Sequence, residues 1–248
     1  MTSLFRNFTG LAATALLFSA CSRDSQTDKA VETDGPGMAA STSVSGDSAD
    51  KSGTALVRVI NAASSSSQLI VRTDEMHAMP TVDYKQVTPY HQIDKNWVTF
   101  EVRGTPTGSY EQLETNRELL TDGHRYSLIV MRDDEGKAYR TRVVRDDISS
   151  DTSSAHVRVI HAAVNTGEVN VLAGAGNTLF DGVNFTSEAG YKDVQPWSGT
   201  MEFRTEDGNR LLLSMPNVSF QRGMSYTIVL ARGKTGKLET FWFEDSQR

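Results

Sequence analysis

Apolar and polar positions along most of this chain fall into short runs rich in Val, Ile, Tyr, Phe and Thr. Gly, Asp, Asn and Pro clusters bound them at intervals of roughly 8 to 12 residues, and no long 3.6-residue period interrupts them. In the C-terminal part the pattern predicts strands near 155–161, 168–173, 191–194, 199–205, 210–215, 224–232 and 238–244. About seven strands in some 90 residues suits an all-β sandwich of two sheets, immunoglobulin-like or a similar Greek key. The punctuation agrees. Glu206-Asp-Gly-Asn209 sits between two predicted strands, while Asp134-Glu-Gly-Lys137 and Lys234-Thr-Gly-Lys237 read as matched hairpin loops.

The same pattern is written twice. Ala55-Leu-Val-Arg-Val-Ile-Asn-Ala-Ala63 returns as Ala155-His-Val-Arg-Val-Ile-His-Ala-Ala163, Phe100-Glu-Val-Arg103 as Met201-Glu-Phe-Arg204, and Gly123-His-Arg-Tyr126 as Gly223-Met-Ser-Tyr226. Similarity this extended marks a duplicated domain rather than two like strands. The units are placed at 55–148 and 154–248, with 149–153 as a linker short enough to set the two sandwiches end to end. Tyr126 and Tyr226 each follow a Gly by three residues at the start of an apolar strand. That position suits a tyrosine corner, in which the ring is buried and the hydroxyl meets nearby backbone.

Upstream the pattern changes. Residues 1–20 carry Arg6, an apolar stretch from Leu11 to Phe18, and then Ser19 and Ala20 before Cys21, the one cysteine of the chain. This reads as a secretory signal, and a solitary cysteine leaves no disulfide partner. Leu17-Phe-Ser-Ala-Cys21 resembles the lipobox of bacterial lipoproteins, with Phe18 where leucine is commonest. The resemblance implies acyl chains, palmitate among them, on Cys21, and hence a membrane anchor. If the source is Gram-negative, Ser22 favours the outer membrane over the inner. Residues 21–54 hold scarcely a large apolar side chain and are expected to form a disordered Ser/Asp/Thr-rich tether.

Charge and candidate chemistry narrow the functions. With Lys plus Arg at 25 against Asp plus Glu at 31, the net charge is -6. No basic stripe points to nucleic acid. His156 and His161 lie five apart on one strand and so face opposite sides, which argues against a shared metal; the first copy has Leu56 and Asn61 there. The serine run Ser64 to Ser67 lacks the Gly-x-Ser-x-Gly turn of a nucleophile elbow, and Gly174-Ala-Gly176 precedes no phosphate-binding helix. No catalytic residue, cofactor or metal is therefore expected.

Two sets of residues stand out. Arg58 and Arg158 interrupt apolar strands, and Glu101 and Glu202 recur in a second strand of each copy. One reading pairs Arg58 with Glu101 and Arg158 with Glu202 as structural ion pairs; the other leaves four solvated charges. Tyr90, Trp97, Tyr191 and Trp197 offer either stacking faces for a glycan or ordinary packing.

The repeated Val157-Arg-Val-Ile-His-Ala-Ala163, with Val169-Asn-Val171, Tyr191 and Gly223-x-x-Tyr226, resembles the bacterial "domain of unknown function 4397" family. The first copy follows with Val57-Arg-Val-Ile-Asn61, Tyr90 and Gly123-x-x-Tyr126, but neither copy has the Ser-Pro-Asp-Ala-Pro turn common in that family. The resemblance implies a β-sandwich on exported or surface proteins and brings no catalytic residues with it. The expectation is a cell-envelope lipoprotein acting as a non-enzymatic binding or structural module, with a glycan- or peptidoglycan-binding module as the alternative and a hydrolase last.

Overall fold

A computed structural model of the protein describes residues 54–64, 68–74, 78–104, 112–133, 135, 138–174 and 176–245. The expected signal segment 1–20, Cys21 and the tether as far as residue 53 lie outside the described residues, as do Ser65 to Ser67.

Among the described residues every regular element is a strand, eight to each copy. The first copy contains β1 (Ala55–Asn61), β2 (Gln68–Thr73), β3 (Val82–Asp83), β4 (His91–Ile93), β5 (Trp97–Gly104), β6 (Gln112–Leu119), β7 (Arg125–Arg132) and β8 (Tyr139–Arg145). The second contains β9 (Ala155–His161), β10 (Val169–Ala173), β11 (Asn177–Val183), β12 (Glu188–Val194), β13 (Trp197–Thr205), β14 (Leu211–Phe220), β15 (Ser225–Arg232) and β16 (Leu238–Asp245). Strand β11 is the one the sequence reading of the second unit missed. Gly182 sits within it at φ 65°, and its pairing with β10 slips register twice, so a clean period of two never develops.

Each copy folds as a sandwich of two four-stranded sheets. In the first, β4-β1-β7-β8 faces β3-β2-β5-β6; in the second, β12-β9-β15-β16 faces β11-β10-β13-β14. Alternation fills the space between them. Val57, Val59, Leu128 and Val130 meet Leu69, Val71, Phe100 and Val102 in one core, and Val157, Val159, Ile228 and Leu230 meet Val171, Phe180, Met201 and Phe203 in the other.

The other face of the inner sheets is apolar as well. Ile60, Ala62, Ile129, Met131 and Val144 pack against Ile160, Ala162, Val229 and Ala231 in a third cluster that joins the two copies. The sandwiches therefore lie back to back, inner sheet on inner sheet, and not end to end as the short linker suggested. This explains why β1, β7, β9 and β15 read as nearly continuous apolar runs. In each inner sheet the central two strands, β1 with β7 and β9 with β15, run parallel and are covered on both faces.

The tyrosine corners form as expected. Both rings are buried, and each hydroxyl accepts a hydrogen bond from backbone five residues upstream: Thr121 N donates to Tyr126 Oη at 2.9 Å, and Gln221 N to Tyr226 Oη at 3.1 Å.

Candidate functional site

Pleating decides where the charges go. Val57 and Val59 point into their own sandwich, so Arg58 and Ile60 point at the neighbouring copy. The same holds for Ser127 beside Ile129, for Asp146 beyond Val144, and for Asp245 beyond Phe243. The polar members of these faces converge on the seam between the copies, where Arg58 and Arg158 are 3% and 1% exposed.

There they form a matched network. Arg58 Nε donates to Ser127 Oγ at 2.8 Å, and that hydroxyl donates to Asp146 Oδ2 at 2.7 Å. In the second copy Arg158 Nε donates to Thr227 Oγ1 at 2.8 Å, and that hydroxyl donates to Asp245 Oδ2 at 2.7 Å. The guanidinium ends then cross over. Arg58 Nη2 reaches Asp245, while Arg158 Nη2 reaches Asp146 Oδ1 at 2.6 Å. Tyr90 Oη donates to Asp146 Oδ2 at 2.6 Å and Tyr191 Oη to Asp245 Oδ2 at 2.9 Å. Each Arg also lies over the Tyr of its own copy, at 4.8 Å for Arg58 and 4.7 Å for Arg158. Two cations and two anions thus neutralise one another in a reciprocal, two-fold-like arrangement, as in an isologous interface.

The electrostatics follow from burial and partner. Burial alone would raise the Asp146 carboxyl, but Arg158 and Arg58 outweigh it and hold it below the ordinary carboxylate range. Burial likewise opposes the charge on Arg158, and Asp146 more than restores it, so its pKa lies above the usual arginine value. Both phenols are pushed up, by burial first, so neither ionises in the physiological range.

These partners correct the sequence-based pairing. Arg58 and Arg158 do not take Glu101 and Glu202 as their carboxylates. Glu101 pairs instead with Arg103 at 3.4 Å, and Glu202 with Arg204 at 2.8 Å, both within their own strands. Asp146 and Asp245 went unrecognised because they close charged strings at strand ends. Duplication held the clue: Val143-Val-Arg-Asp146 and Trp242-Phe-Glu-Asp245 end alike.

Nor do the four aromatics share a platform. Tyr90 and Tyr191 belong to the seam, while Trp97 and Trp197 start β5 and β13, in the outer sheets of different copies. Trp97 is 52% exposed, with the Arg117 guanidinium 5.1 Å from its ring centre. Trp197 is half-buried against Phe220.

The histidines have separate partners. His161 Nδ1 accepts from Ala163 N at 3.3 Å and its Nε2 donates to Gly167 O at 3.1 Å. Asn61 in the first copy likewise accepts from Ala63 N, at 2.9 Å, but donates to Val82 O in β3, at 3.0 Å. His156 faces Asp193 Oδ1 at 2.6 Å and the linker carbonyl of Asp151 at 2.9 Å.

Beside the network, Glu188, Tyr191, His156, Asp193, Arg145 and Asp147 help to line a cavity of about 450 Å³. Its charges are largely matched already, Arg145 with Asp147 at 2.6 Å and His156 with Asp193. Glu188, 4.0 Å from Arg142, has its carboxyl pushed up by burial. Ser127, the hydroxyl at the centre of the network, bonds an arginine and a carboxylate rather than an imidazole. That arrangement fixes geometry instead of activating a nucleophile.

A family described as domain of unknown function (DUF4397) matches the chain twice, over residues 55–172 and 155–248. No curated protein matches it in sequence. Among solved structures, a candidate cell adhesion protein from Bacteroides fragilis NCTC 9343 is similar over 78% of this chain and 98% of its own, at 9% identity and a TM-score of 0.21. A likeness that small carries no argument about role.

Proposed function

The chain belongs, through both of its repeats, to the family described as domain of unknown function (DUF4397), and from that premise we propose that it is a lipid-anchored envelope protein whose paired domains act as a rigid, non-enzymatic binding or structural module. The observation that carries this reading is the seam. Its buried charged groups, Arg58, Arg158, Asp146 and Asp245, are engaged with one another across the two copies. A network satisfied internally holds two domains in one orientation and leaves those groups no substrate to act on. The anchor rests on the Leu17-Phe-Ser-Ala-Cys21 string and the outer-membrane address on Ser22.

The decisive experiment is metabolic labelling with palmitate in a Gram-negative host, followed by membrane fractionation. The wild-type chain should carry label and sediment with outer membranes. Cys21→Ser should lose the label and accumulate as unprocessed precursor. Equal labelling of both would remove the anchor. Crosslinking in the intact envelope, with the partners resolved into protein and glycan, then identifies what the module holds.

A further inference from the structure

At another part of the seam, Ser64, Arg132, Arg232, Gly233, Lys234 and Gly236 help to line a cavity of about 440 Å³. Both copies build it. Arg132 ends β7 and Arg232 ends β15, while Ser64 and its counterpart Val164 follow the matched Ala-Ala pairs after β1 and β9. We propose that this cavity binds the phosphate group of a phosphorylated small molecule, glycan or lipid headgroup.

Three observations support the assignment. The first is sign: three cations and no carboxylate are among the described lining residues, on a chain whose net charge is -6. Asp133 and Glu135, on the hairpin that follows Arg132, do not line the cavity. The carboxylate of Glu239, which packs against Gly233, is engaged by Lys85 and by the Tyr84 hydroxyl of the first copy. An anion entering the cavity would meet three cationic side chains.

The second is preorganisation. Arg232 Nε donates to Val164 O at 2.7 Å, Nη1 to Gly236 O at 2.5 Å, and Nη2 to Asn165 O at 3.1 Å and Thr166 Oγ1 at 2.7 Å. All four acceptors are neutral. The guanidinium is therefore aimed without being neutralised, and the second hydrogen of Nη1 remains for an incoming oxygen. That one N–H can make a single charge-assisted contact with a phosphate oxygen, and the ammonium of Lys234 in the same lining adds a second positive charge.

The third is size. The cavity lies within the range of about 300–1,000 Å³ typical of small-molecule sites. It has room for the group to which a phosphate is esterified.

The assignment is independent of Cys21 acylation, so it can be tested separately. The full chain, purified in detergent, would be titrated calorimetrically with inorganic phosphate, with glucose 1-phosphate and with glycerophosphoglycerol, the water-soluble headgroup of phosphatidylglycerol. Saturable binding is expected with at least one probe, and which probe binds tightest identifies the source of the phosphate. Lys234→Glu and Arg132→Gln should each weaken that binding by about tenfold or more, the loss expected for one charge-assisted contact. Arg117→Gln, on the outer sheet of the first copy, should leave it unchanged. Urea midpoints measured on the same samples identify any variant that has lost its fold, and Lys234, exposed on a hairpin tip, provides the substitution least coupled to folding. No saturable binding by any probe, or binding equally strong in Lys234→Glu at an unchanged urea midpoint, would overturn the proposal.

Discussion

Histidine at one position and asparagine at its counterpart look at first like chemistry gained in one copy and absent from the other. The hydrogen bonds say otherwise, because Asn61 and His161 each accept from the backbone N–H two residues on, and each donates to a main-chain carbonyl of its own copy. The difference lies in titration. Burial holds the His161 pKa below its ordinary value, so the folded state prefers the neutral ring. Its contribution is complete above the unfolded pKa of about 6.5 and is lost as pH falls through the lower folded value. Asp146, also lowered, behaves the same way further down: its contribution is complete above about pH 4 and is lost on stronger acidification. Urea denaturation at pH 7.5, 5.5 and 2.5 should therefore show two successive losses of stability. His161→Asn should abolish the first and keep the second; an unchanged first step would show that another group titrates there.

Among the elements, the inner strands were the most legible. Their Val-Arg-Val-Ile and Ile-Val runs survive duplication because both faces are buried, and a two-sided environment tolerates few substitutions. The tyrosine corners were legible for a local reason: Gly, spacing and strand onset lie within a few residues. Strand β11 was obscured by its own irregularity, and the partners of Arg58 and Arg158 by distance, since Asp245 lies 187 residues from Arg58. Alternation could show that Arg58 leaves its own core, but not what would meet it outside. The corner is also where an element can be probed alone. Tyr226→Phe keeps the buried ring and leaves Gln221 N without its acceptor, which should cost about 0.5–1.5 kcal/mol in chemical denaturation. A neutral result would mean that water replaces the hydroxyl there.

For the whole molecule, the question is whether the copies are joined by the linker or by the seam. A protease site placed within residues 149–153 and cleaved in the folded protein should leave the halves co-eluting on size exclusion, held by the apolar cluster and the crossed ion pairs. Adding Asp245→Asn, which leaves Arg58 with a buried charge short of a partner, should cost about 3–5 kcal/mol and release them. Halves that separate without that substitution would put the linker in charge. The back-to-back arrangement also bears on how such a chain can change over generations. A substitution at Ile60 or Met131 is felt at once by the neighbouring copy, so the two inner sheets must drift together or not at all. The outer sheets carry no such obligation. Trp97 already stands open to solvent where Trp197 is tucked against Phe220, and new specificities can accumulate there on one copy while the other stays as it was.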